Sequence, residues 1–232
     1  MLRAALIGNP NVGKTLIFNN LTGGHHHVGN WPGVTVGKRV GRFRCGEEVE
    51  VLDLPGVYSL TPFSIDQRVA LHYILEERPD VVVDIVDASN LRRNLYLTLM
   101  LIELEVRLLI ALNKLDLARA KGLEIDVKEL AELLGVPVVP TVAPREEGME
   151  ELKRRIIELG RAEDWRPPRL DYGPELEREI AELEERLDEK LARRYPRRWL
   201  AIKLLEGDEE FFKDLGELSS PKVSGRSCHG HG

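Results

Sequence analysis

Near the amino terminus, Gly8-Asn9-Pro10-Asn11-Val12-Gly13-Lys14-Thr15 sets two glycines, a lysine and a threonine at the spacing that wraps backbone around a phosphate. Such a loop works because main-chain N–H groups and a helix N-terminus supply positive potential. Lys14 then reaches the β- and γ-phosphates, and Thr15 offers a hydroxyl to Mg²⁺. Asp53-Leu54-Pro55-Gly56 provides a second element, an acid for Mg²⁺ followed by a glycine whose N–H senses the γ-phosphate. Val57 follows where a water-orienting Gln stands in related chemistry, so hydrolysis is expected to be slow or to use another device. A third element, Asn113-Lys114-Leu115-Asp116, carries a carboxylate able to accept both N–H donors of a guanine edge, which adenine lacks. Thr141-Val142-Ala143 stands where a main-chain N–H would meet the base carbonyl, with Val142 in place of the usual Ser. Thr35 lies between the phosphate loop and Asp53, the region of a switch threonine ordered by Mg²⁺ and γ-phosphate.

These motifs need strands that end at one edge. Apolar runs at Ala4–Ile7, Val49–Asp53, Val81–Asp87, Leu108–Asn113 and Val136–Thr141 read as buried strands. Helical patterns at Thr15–Leu21, Ile65–Glu76, Arg92–Leu104, Asp126–Leu134 and Met149–Leu159 alternate with them. The expected fold is α/β: a P-loop NTPase with a Ras-like, mostly parallel six-stranded sheet, helices on both faces and a small all-helical domain behind it. Ligands in such sheets gather at the carboxyl ends of the strands, where the motifs lie. Pro167-Pro168 marks a linker. Leu176, Ile180, Leu183, Leu187 and Leu191 then recur at helical spacing up to about Tyr195, with a second helix over Trp199–Leu205. The division expected is a GTPase domain over 1–162, a helical domain over 168–215 and a flexible tail over 216–232.

A net charge of -6 argues against a nucleic-acid partner, whose binding domains are basic. Two cysteines, Cys45 and Cys228, give no disulfide framework, which suits a reducing cytoplasmic setting. The apolar stretch Leu95–Leu112 is interrupted by Glu103, Glu105 and Arg107, so the chain is not expected to cross a bilayer. His25-His26-His27 reads as switch loop rather than a metal site, and Cys228, His229 and His231 offer too few ligands for a closed shell. Trp31 reads equally as an exposed anchor or a packed side chain.

His27-Val28-Gly29-Asn30-Trp31-Pro32-Gly33-Val34-Thr35-Val36 resembles the first switch of the Fe(II) transporter B (FeoB) family. Asp53 to Leu60, Val86 to Leu97 and Arg198 to Asp208 are similar to that family too. The resemblance implies a GTP- and GDP-binding, hydrolysing domain at the cytoplasmic face of the cell membrane. It also implies a helical domain that slows nucleotide release, and coupling to a membrane-embedded ferrous-iron transporter. Gly33, Val34 and Thr35 would then contact nucleotide. K⁺, held by Asn11 and by carbonyls near Gly29 and Trp31, would speed hydrolysis, with Lys14, Thr35, Gly56 and Asn11 as the catalytic set. A small cytosolic regulator and self-association are further implied partners. Two departures accompany the match. Gly37 stands where an acid is common, and the family's membrane spans lie outside this sequence, so transport is not expected of the chain alone. The competing reading, a ribosome- or RNA-assembly GTPase, would carry a basic appendage; the segment after Pro168 is mixed and acidic instead.

Overall fold

The computed structural model describes residues 1–207; the expected tail, Cys228, His229, His231 and the last residues of the expected helical domain lie outside them. The strands are β1 (Leu2–Gly8), β2 (His26–Asn30), β3 (Gly37–Cys45), β4 (Glu47–Asp53), β5 (Val81–Asp87), β6 (Leu108–Asn113) and β7 (Val138–Pro140). They form one sheet in the order β2-β3-β4-β1-β5-β6-β7. Pairings from β4 through β7 are parallel, and β2–β3 and β3–β4 are antiparallel. Seven strands replace the expected six, because the first-switch segment His26–Asn30 itself pairs with β3. Every residue of β5 is buried, Asp84 at its middle and Asp87 at its end included, which is why it reads as a mostly apolar run.

The helices are α1 (Lys14–Thr22), α2 (Ile65–His72), α3 (Leu91–Glu103), α4 (Leu115–Ala120), α5 (Val127–Leu134), α6 (Met149–Arg161), α7 (Pro174–Arg186), α8 (Glu189–Arg194) and α9 (Arg197–Glu206). One sheet face buries Ile17, Phe18 and Leu21 of α1 against Leu152 and Ile156 of α6. The other face buries Ala70 and Leu71 of α2, Leu97 and Leu101 of α3, and Ala118 of α4. The helix expected up to Tyr195 is broken. Leu187 and Asp188 are extended, and the Asp188 carboxylate accepts from the N–H groups of Lys190 and Leu191 to start α8 afresh. Tyr195, Trp199 and Leu200 join the core of the sheet face covered by α2 and α3. Ile180, Ala201 and Ile202 form a small cluster of their own between α7 and α9. Arg198, 7% exposed at its side chain, is held there by Glu177, whose pKa falls to about 2 through the Arg198 guanidinium and the Tyr172 N–H.

Among the described residues no helix is long and apolar enough to cross a membrane.

Candidate nucleotide site

β1 ends at Gly8 and α1 begins at Lys14, so the intervening loop sits at the carboxyl edge of the central strands. Backbone conformation explains its composition. Asn11 has φ 67° and Gly13 φ 95°, and a β-carbon on Gly13 would stand 2.5 Å from the Asn113 amide nitrogen. Asn9, Pro10, Asn11, Gly13, Lys14, Thr15, Leu16 and Gly56 line a cleft of about 540 Å³, a size suited to a small ligand. Inside the loop, the Asn9 side chain is 3% exposed and neither of its amide atoms has a partner among the described residues. Buried polar atoms normally find partners, so this amide is poised for a polar ligand.

Lys14 makes an ion pair with Asp53, whose side chain is 8% exposed at the end of β4. The loop after Asp53 is stitched to the phosphate loop: Val57 donates its N–H to Gly8 O at 3.1 Å, and Gly56 lies against Pro10. Thr15 is exposed at the cleft mouth. A nearly buried carboxylate that takes a cation, with a hydroxyl at the mouth, fits the preference of Mg²⁺ for hard oxygen donors shared with substrate phosphates. No group of three or more His, Cys, Asp or Glu side chains able to hold a metal exists among the described residues, His25, His26 and His27 included. His26 instead packs its ring edge-on against Phe18.

Asn113 and Lys114 do more than the sequence suggests. Asn113, 1% exposed, donates from Nδ2 to Val12 O at 2.9 Å while its Oδ1 accepts the Ala143 N–H at 3.1 Å. Thr141 Oγ1 adds a contact to the same oxygen at 3.3 Å. Lys114, in the left-handed region at φ 61°, reaches back to Asn11 O at 2.6 Å and to Asp87 Oδ2 at 2.8 Å. Asp87 therefore belongs to the site though it was assigned no role from sequence. Its signal was an acid at the carboxyl end of a strand followed by Ser89, which returns two hydrogen bonds to Asp87 Oδ1. Against the cost of burial, Lys114 and Ser89 hold the Asp87 carboxyl below its ordinary range. Asp116, in the first turn of α4, is half-buried and its carboxylate has no partner among the described residues, which leaves it available to a base.

Several of the expected contacts are not made in this arrangement. The N–H groups of Thr141, Val142 and Ala143 all turn inward, to Leu112 O, Glu147 O and Asn113 Oδ1, so this loop offers the base no free main-chain donor in this arrangement. Gly33, Val34 and Thr35 lie outside the cleft, on a turn closed by Trp31 N–H to Val36 O at 2.9 Å. Thr35 is exposed there and is not brought to Thr15 or Asp53. Nor are Gly29 and Trp31 brought to Asn11: Gly29 pairs with Lys38 in the sheet, and the Trp31 carbonyl accepts from Val34. The antiparallel pairing that adds β2 to the sheet is what draws this segment away.

Comparison with known proteins follows the same lines. Residues 2–156 match the family model for Ferrous iron transport protein B, and residues 172–224 match that for the FeoB cytosolic helical domain. The chain is 46% identical over 223 residues to the Fe(2+) transport protein A/Fe(2+) transporter FeoB fusion protein of Porphyromonas gingivalis, covering 94% of this chain and 26% of that protein. It is 43% identical to the Fe(2+) transporter FeoB of Escherichia coli, with 94% and 28% covered. It thus spans about a quarter of the length of these relatives. The cytosolic domain of the T. maritima FeoB iron transporter superposes in its GMPPNP form with a TM-score of 0.87 at 43% identity, over 97% of this chain and 88% of that one. In GDP form II the TM-score is 0.88 at 42% identity, over 97% and 89%. With one family model matched over residues 2–156 and the other over 172–224, the chain belongs to the ferrous iron transport protein B family.

Proposed function

We propose that this chain binds Mg²⁺–GTP in the cleft beneath residues 8–15, hydrolyses it, and uses the change to regulate a membrane-embedded ferrous-iron transporter. The observation that carries the reading is the convergence on one loop of Lys14 paired with Asp53 and of Asn113 and Lys114 bonded to Val12 O and Asn11 O. That geometry ties the residues that would read the base to the loop that would hold the phosphates. The T. maritima relative is described in GDP and GMPPNP forms, which supports the same ligand class here.

Each residue has a distinct task. Asp116 grips the guanine edge and rejects adenine by leaving its charge unpaired. Lys14 leaves Asp53 for the β- and γ-phosphates and stabilises charge as the terminal phosphoryl group transfers to water. Thr15 and Asp53 would hold Mg²⁺, which would supply charge neutralisation to the phosphates. The Gly56 N–H reports the γ-phosphate, and Thr35 arrives with the first switch. Because Val57 cannot orient water, K⁺ would supply the missing charge if the first switch closed and Asn11 held it together with the carbonyls of Gly29 and Trp31. Residues 1–162 act as the GTPase unit and the segment from 168 slows nucleotide release and relays the switch to the membrane partner. A small cytosolic regulator and self-association belong to the same proposal.

The test is GTP turnover with Mg²⁺ in K⁺ and in Na⁺ buffers. The reading expects faster turnover in K⁺, loss of that difference in Asn11→Ala, and a drop of roughly 10²-fold or more in Lys14→Ala. Equal rates in the two salts remove K⁺ from the scheme. Turnover that survives Lys14→Ala undivided removes the site.

A further inference from the structure

Trp31 begins the turn that carries Thr35, and its indole is the turn's anchor. The side chain is 8% exposed and packs into the α2 and α3 face of the core. Its ring meets the Tyr73 ring edge-on, centroids 5.4 Å apart at 69°, and the Lys38 ammonium lies 4.8 Å from the indole centroid. Tyr73 opens a π-helical turn, Tyr73–Glu77, that continues α2. Such wide turns inside helices recur at functional places.

This turn is pinned at its far end. Glu76 accepts from the Tyr195 hydroxyl and from Arg194, each at 2.9 Å, so Tyr73 is a fixed wall against which the first switch leans. The seat is also imperfect. The indole Nε1–H is buried with no acceptor among the described residues, which penalises the seated state even while the ring contact favours it. An edge-on aromatic pair contributes a bias of about two- to tenfold beyond its buried area, enough to hold a loop and small enough to be overcome by a ligand.

We propose that Trp31 is a positioning residue for the first switch: seated on Tyr73 it keeps Thr35 out of the cleft, and unseating it lets Thr35 swing toward Thr15 and Asp53. This rests on the nucleotide reading above and names the contact that sets triphosphate against diphosphate preference. Because neither aromatic lines the phosphate cleft or the base motif, loosening the seat should favour the nucleotide that recruits Thr35 and leave the other alone.

The experiment compares affinity for GDP and for a non-hydrolysable GTP analogue in the unaltered chain, Tyr73→Leu, Trp31→Leu and Tyr73→Phe. Tyr73→Leu should bind GDP within about twofold of the unaltered chain, and both leucine variants should bind the analogue about three- to tenfold more tightly, the size of the ring contact removed. Tyr73→Phe, which keeps the ring edge, should behave like the unaltered chain. As an independent readout, 5-fluorotryptophan spectra, with the Trp31 signal assigned by Trp31→Phe, should show that signal moved by the analogue, still in GDP, and moved by Tyr73→Leu alone. An analogue affinity that ignores both leucine variants, or a Trp31 signal indifferent to the analogue, overturns the latch. An unaltered chain that binds neither nucleotide sinks the site and the latch together, so the two failures are told apart.

Discussion

Asp84→Asn should stabilise this protein at neutral pH, and by an amount that grows with pH. Asp84 sits mid-strand in β5, 1% exposed, with Ile7 of β1 and Ile110 of β6 as its neighbours in register. Thr98 Oγ1 donates to its Oδ2 at 2.6 Å. Burial pushes its pKa from 3.8 up to about 7, with the Thr98 hydroxyl offsetting a part. A carboxyl raised in the folded state favours folding fully below 3.8, where both states hold the proton. That contribution is lost as pH climbs to about 7, where the folded carboxyl must also ionise. Each unit in that window changes stability by about 1.4 kcal/mol. Asparagine keeps an acceptor for Thr98 and does not titrate. The stability difference, variant minus unaltered chain, should therefore widen by about 3 kcal/mol between pH 5 and pH 8. For a chain of this size that is a relative gain in Tm of roughly 6–12 °C. Paired thermal melts without nucleotide at pH 5, 6, 7 and 8 measure it. Curves that stay parallel across that range, or an asparagine variant that loses ground as pH rises, would refute the reasoning.

Asn113→Ala should lower stability by about 3 kcal/mol, since it strands the Val12 carbonyl and the Ala143 N–H in a buried setting, and thermal melts check it. The same variant should lose GDP affinity in calorimetry, whereas Lys114→Ala, acting from a side chain 25% exposed, should cost only ~1 kcal/mol of stability. Glu177→Gln should weaken the join between α7 and α9 by about 1–2 kcal/mol at pH 7, a third of the Glu177 side chain being in water, which screens the pair with Arg198. The Glu177 carboxyl is lowered to about 2, so its contribution is complete above the ordinary value of 4.5 and fades as pH falls toward 2; denaturant titrations at pH 7 and pH 3 should show the variant's deficit shrinking at the lower pH.

The phosphate loop was legible because its chemistry restricts residue type: the chain turns through Gly13 at a φ that side chains resist, and against Asn113 where a β-carbon would collide. The central strands were legible because burial on both faces leaves a mostly apolar run, as in β6, whose residues Leu108 to Leu112 are all apolar. β2 and β3 were not, since an exposed edge strand carrying His26 and His27, and its neighbour carrying Lys38, Arg39 and Arg42, look like loop until their pairing fixes them. The break before α8 was hidden by a leucine period that runs on through Leu187, while the deciding group is the Asp188 cap. The bracing of the phosphate loop by Asn113 and Lys114 joins residues about a hundred apart in sequence, and no local pattern encodes such a contact. The first switch leans on one aromatic contact, Trp31 against Tyr73, for which the sequence left burial and exposure of Trp31 equally open.

The most direct examination of the whole scheme is calorimetric titration of the chain, and of Asp116→Ala, with GDP and with ADP. Heat of binding for GDP, ADP at least ~10²-fold weaker, and a preference erased by the alanine is the predicted result. Equal affinities for the two diphosphates, or a preference that persists without the Asp116 carboxylate, would contradict the assignment of this cleft to guanine nucleotides.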